Sequence, residues 1–241
     1  MAFAALKGLG SKIGAAALEA YDSACKAAKA LFSKNKIPEI PVAACPNACP
    51  TALGAGVNEL VEKSPTLVAN LKALEEDGWV IRYGEPGKGS FCDKTKKEIV
   101  IDPNEKDNPA SITQTLAHES GHALYSADPY VPHTGLSKDE YVRKNVEAAL
   151  KDEGEATLMN AKVRDEIMGN GGTDIGIAGA KSDEYEKAYQ EYKEHGDREK
   201  ARKDIGAIFA KGERPSTDPT KTYEEYYGAP YSDYYDQQPA I

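Results

Sequence analysis

The chain has 241 residues, of which 40% are hydrophobic and 29% charged, enough for a buried core in a water-facing protein. A net charge of −9 and a pI near 5.1 exclude the basic surface that nucleic-acid binding needs. No run of roughly eighteen apolar residues occurs, so no membrane-spanning helix is predicted.

Residues 1–35 read as one amphipathic helix, with Leu6, Leu9, Ile13, Leu18, Tyr21, Ala24, Ala28 and Leu31 at helical spacing. It is expected to pack on the rest of the chain, or to dock a carrier or partner. Lys7 and Lys12 interrupt it early, so no secretory signal peptide is predicted. Residues 36–56 hold four prolines and two of the four cysteines, and read as a linker. The Cys45–Cys49 pair has three intervening residues where metal-binding pairs usually have two. Cys25, Cys45, Cys49 and Cys92 therefore read as thiols or disulfide partners of undetermined pairing.

Residues 57–212 are predicted to form the main domain, a mostly helical α+β fold with a small antiparallel sheet. Ser64-Pro65 opens a helix by cap and first-turn proline, and Gly78 ends it. Strands are predicted at 79–83, 90–92 and 98–102, the last two around a charged turn. Asn108-Pro109 starts the next helix. Ser137 to Glu140 form a capping box that opens a long helix, which Asn170-Gly171-Gly172 closes. Polar helices follow at 182–194 and 197–211, with Gly196 between them. In residues 213–241, Tyr223, Tyr226, Tyr227, Tyr231, Tyr234 and Tyr235 alternate with Asp, Glu, Gly and Pro. This tail reads as extended or disordered, or as wrapping on the body through its aromatics.

Two of the four histidines stand in Leu116-Ala117-His118-Glu119-Ser120-Gly121-His122-Ala123-Leu124, a His-Glu-x-x-His pattern. Residues four apart share a helix face, so His118 and His122 can reach one ion. Glu119, beside the first histidine, can reach a water at that ion and act as general base. A catalytic zinc takes a third protein ligand. The long helix carries an apolar stripe of Val142, Val146, Ala149, Leu150, Ala156, Val163 and Ile167. Glu153 falls inside that stripe, while Glu155 and Glu147 are expected to face solvent. Glu153 is thus the candidate third ligand. The alternative is a buried Glu153 paired with Arg164. Tyr125, Tyr130, His133, Tyr141 and His195 are unassigned candidates for an oxyanion donor. The strand around 90–92 or that at 98–101 is a candidate edge for an extended peptide.

Leu150-Lys151-Asp152-Glu153-Gly154-Glu155-Ala156 resembles the second zinc motif of gluzincin peptidases, in which the glutamate matching Glu153 binds zinc. Many gluzincins carry an acid four residues later to orient a zinc histidine. This chain has Thr157 there, so Asp152, Asn160 or Asp128 is expected to substitute. The arrangement, with Gly-Lys-Gly-Ser-Phe-Cys before the motif, is also similar to metallopeptidase toxin domains delivered by bacterial contractile (type VI) secretion systems. The resemblance spans residues 79–170. It implies a zincin-like fold, a Zn2+ cofactor, a peptide or protein substrate, and a cytoplasmically made effector released by a dedicated system beside an immunity protein. A peptidoglycan crosslink hydrolase and a non-catalytic module with a structural zinc are the alternatives.

Overall fold

The computed structural model describes residues 51–215 and 218–238. The predicted helix at 1–35, most of the linker, and Cys25, Cys45 and Cys49 lie outside the described residues. Packing divides the described residues into two compact units. The first runs to Tyr125 and resumes over Glu155–Ala178. The second is Ser126–Gly154 and everything from Gly179 onward.

The first unit begins with α1 (Ala55–Val61) and α2 (Pro65–Glu76). Ser64 caps α2 by accepting from Leu67 N, Pro65 occupies its first turn, and Gly78 leaves it with φ +79°. Strands β1 (Val80–Tyr83), β2 (Phe91–Asp93) and β3 (Glu98–Ile101) follow. Helix α3 (Pro109–Leu124) comes next, its N-terminus capped by the Asn108 side chain through Ser111 N. Below the sheet, Ile99, Ile101, Ile112, Leu116, Leu67 and Leu74 are fully buried in one apolar core with Val163 and Ile167. Burial of these side chains is the main force holding α3 in place.

The sheet is mixed, which corrects the expected antiparallel one. Its order is β1-β3-β2: β2 pairs antiparallel with β3, but β1 pairs parallel with β3. The loop after β1 crosses to the far side of β3, and Asp102 holds that loop. Its carboxylate accepts from Gly87 N (3.1 Å), Gly89 N (2.9 Å) and Asn104 N (2.9 Å). These donors, Asn104 foremost, keep the Asp102 carboxyl below the usual carboxylate range.

Helix α4 (Lys138–Gly169) is continuous, and the division between units falls inside it, between Gly154 and Glu155. Its start is the expected capping box, with Glu140 accepting from Ser137 N at 3.1 Å and Ser137 Oγ accepting from Glu140 N at 3.4 Å. Gly171, at φ +71°, turns the chain out of it. Near this end, Glu166 braces the start of α2. It accepts from Ser64 Oγ (2.6 Å), Thr66 N (2.9 Å) and Thr66 Oγ1 (2.5 Å). Glu166→Ala strips three bonds from one carboxylate, so it is expected to cost about 2 kcal/mol. The melting temperature should fall by about 4–8 °C, as read by circular dichroism.

The second unit consists of the first half of α4 with α5 (Ser182–His195), α6 (Arg198–Gly212) and α7 (Tyr223–Asp236). Gly196, at φ +74°, separates α5 from α6 as expected. The α4–α6 crossing is closed by two glycines. A Cβ on Gly154 would come within 2.1 Å of Arg202 O, and one on Gly206 within 2.6 Å of Leu150 O. Helix α7 corrects the expected extended tail. Thr222 and Glu225 form a full capping box, and Tyr223, Tyr227, Tyr231 and Tyr234 recur at spacings of four and three. Tyr227 and Tyr231 are buried, and Tyr231 meets Tyr141 of α4 edge-on at 5.9 Å. Burial of these rings outweighs the helix-breaking tendency of Pro230.

Candidate metal site

Helix α3 presents the His-Glu-x-x-His residues one turn apart. Nε2 of His118 and Nε2 of His122 stand 3.2 Å apart, with the rings 81° to each other. That spacing serves either one N–H···N bond between neutral rings or two nitrogen donors on one cation. Two nitrogens at about 2.0–2.1 Å from a tetrahedral zinc lie about 3.3 Å apart, so the pair fits a shared ion. Glu153 completes the group. Ligand atoms of His118, His122 and Glu153 all lie within 4.8 Å of one another, and the three residues could hold a metal ion. His122 and Glu153 are each only 3% exposed. Among the described residues no other cluster of this kind occurs.

Glu119 is also 3% exposed, and its Oε2 is buried without a hydrogen-bond partner. Buried carboxylate oxygens are almost always satisfied, because desolvating the charge is costly. Gly121, between the histidines, has a packing role. A Cβ there would lie 2.6 Å from Ala156 Cα, so the glycine lets α3 and α4 cross with their backbones in contact.

Glu155 corrects the stripe argument. It is 4% exposed instead of solvent-facing, and α4 is buried on every side from Asp152 to Ala161. A single apolar stripe does not describe a helix covered all round. Glu147 is exposed as expected, in an ion pair with Arg143. Arg164 is bound through two nitrogens to Asp174, at 2.6 and 2.7 Å. Three acids within four residues, Asp152, Glu153 and Glu155, are all buried.

Thr157 is fully buried and its Oγ1 makes no hydrogen bond, so it orients neither histidine. Of its suggested substitutes, Asn160 spends its amide on Gly176 O and Ala178 N, and Asp128 pairs with Lys151 at 2.7 Å. Asp152 is buried, at 7% exposed. Among the oxyanion candidates, Tyr130 and Tyr141 bond to each other at 2.9 Å, and burial pushes the Tyr141 phenol far above its ordinary range. His133 is ringed by Tyr141, Tyr234 and Tyr235. His195 is exposed at the end of α5, beside Glu194. Tyr125 caps α3, and its carbonyl accepts from Lys94 Nζ at 3.3 Å.

One residue of the site escaped the sequence reading. Tyr227 of α7 donates from its hydroxyl to Glu153 Oε1 at 2.5 Å, in buried surroundings. Burial, and then the charge of Glu153, raise the Tyr227 phenol well above its ordinary range, so it stays a donor. The capping box at Thr222 and Glu225 was the signal that could have placed it on a helix.

No protein-family model, no curated protein and no solved structure matches the chain.

Proposed function

We propose that the protein is a zinc-dependent peptidase in which His118, His122 and Glu153 hold the ion and Glu119 is the general base. The observation that carries this reading is the convergence of two imidazole nitrogens, 3.2 Å apart, with a buried carboxylate in one group spanning no more than 4.8 Å. Two neutral nitrogens and one carboxylate match the three-ligand set of catalytic zinc sites, which leave a position open. A zinc ion held there would supply Lewis acidity to a water and to a scissile carbonyl near neutral pH. Glu119, whose Oε2 has no hydrogen-bond partner, would accept a water proton there and return it to the departing amine. Strand β3 is paired on both sides, so of the two candidate strands only β2 lies at an edge of the sheet, where an extended peptide could pair.

The resemblance to delivered toxin domains supports a narrower form of the proposal, an antibacterial effector secreted by a dedicated system and restrained in its producer by an immunity protein. Cutting peptide crosslinks in peptidoglycan would use the same residues.

The test is metal analysis of the purified chain together with hydrolysis of casein and of purified peptidoglycan. About one zinc per chain is expected, and none in the His118→Ala/His122→Ala double variant. A double variant that keeps full zinc content would overturn the ligand assignment. Zinc binding without hydrolysis of either substrate would favour a structural ion.

A further inference from the structure

The C-terminal helix reaches the candidate ligand set. Tyr227 and Glu153 are 4% and 3% exposed, and the phenol hydroxyl donates to Glu153 Oε1 at 2.5 Å. The phenol is itself held firmly. Its ring packs against Tyr223 at 5.4 Å and Tyr226 at 5.9 Å between centroids. Next to it, Gly228 of α7 faces Val142 of α4, with room for a Cβ at ordinary contact distance, 3.5 Å from a Val142 methyl. A carboxylate on a mobile side chain can rotate and can meet an ion through one oxygen or two. A hydrogen bond to one of its oxygens, from a donor locked in a packed helix, removes that freedom.

We propose that Tyr227 is a positioning residue for the metal site: it fixes Glu153 Oε1 so that Glu153 meets the ion through a single oxygen. Helix α7 is then part of the metal site and not an appendage of the fold. This rests on the reading that His118, His122 and Glu153 hold zinc.

The experiment compares the parent chain with Tyr227→Phe and Tyr231→Phe. Zinc dissociation constants are measured by competition with a chromophoric chelator, and visible spectra are recorded with Co2+ in place of zinc. Tyr227→Phe is expected to keep one ion per chain but to bind it about 10–100-fold more weakly. Its Co2+ bands should weaken as the released carboxylate moves to two-oxygen binding and raises the coordination number. Tyr231→Phe removes a hydroxyl from an equally buried ring of the same helix and should match the parent in both readouts. A general loosening of α7 would lower affinity in both variants alike, and that result would count against the proposal. A Tyr227→Phe protein with parental affinity and an unchanged Co2+ spectrum would overturn it while leaving the zinc reading intact. A parent chain that binds no zinc would overturn both. If Tyr227→Phe does not melt like the parent, tyrosine 13Cζ spectra of the unmodified chain decide the matter. One tyrosine resonance must shift when zinc is added, and no shift overturns the proposal.

Discussion

Glu119→Gln is expected to retain about one zinc per chain while casein hydrolysis falls by about 10²–10⁴-fold, the usual contribution of a positioned proton-transfer group. The side chain is buried in α3, and its Oε2 makes no hydrogen bond. Glutamine has nearly the same volume, so packing of α3 against the core should survive. An amide cannot accept the proton, so the chemical step is lost without loss of the ligands. Stability is expected to hold or rise slightly, because the Oε2 that lacks a hydrogen-bond partner is replaced by an amide group of the same shape. The same variant serves a second readout in bacteria. The parent chain, sent to the periplasm of a susceptible strain, is expected to arrest growth where the Glu119→Gln chain does not. Equal hydrolysis by the two proteins would remove Glu119 from the mechanism, whatever the zinc content.

The local signals in the sequence were strong where a side chain speaks to its own backbone. Ser64 and Ser137 cap two helices as predicted, Asn108 and Asp197 cap the helices expected to start there, and Gly78, Gly171 and Gly196 take the positive φ expected at helix ends. The His118–His122 pair was legible for the same reason, since one turn of helix fixes their separation. Non-local facts were harder to read. The parallel pairing of β1 with β3 depends on where the chain crosses after Tyr83, which no pattern of four residues encodes. Periodicity locates the apolar face of a half-covered helix, so it misplaces Glu155 on α4, which is enclosed from Asp152 to Ala161. Glycine at 154 belongs to the α4–α6 crossing, so the Glu-Gly-Glu run reflects packing as well as ligand chemistry. The tail was read as extended because Pro230 and Gly228 masked a tyrosine repeat whose stabilisation comes from rings buried against other helices.

Glu153→Ala is expected to weaken zinc binding by more than about 100-fold, beyond what loss of a supporting hydrogen bond costs, because it removes one of three protein ligands. Glu155→Ala is the informative comparison. Both residues are buried to nearly the same degree, at 3% and 4% exposed, so burial alone cannot separate their effects. What separates them is geometry. Glu153 belongs to the group that closes within 4.8 Å around His118 and His122, and Glu155 does not. Two residues apart on a helix, they point about 200° away from each other, so they cannot address the same ion from the same side. Each substitution removes a buried carboxylate and leaves a cavity, so both variants are expected to lose some stability. Only Glu153→Ala should also release zinc to a competing chelator at concentrations the parent withstands. Melting curves recorded without metal separate the common structural cost from the loss of a ligand. Equal zinc affinity of the two variants would show that Glu153 is a buried acid of the fold and not a ligand. Loss of zinc from Glu155→Ala alone would move the third ligand to the opposite face of α4.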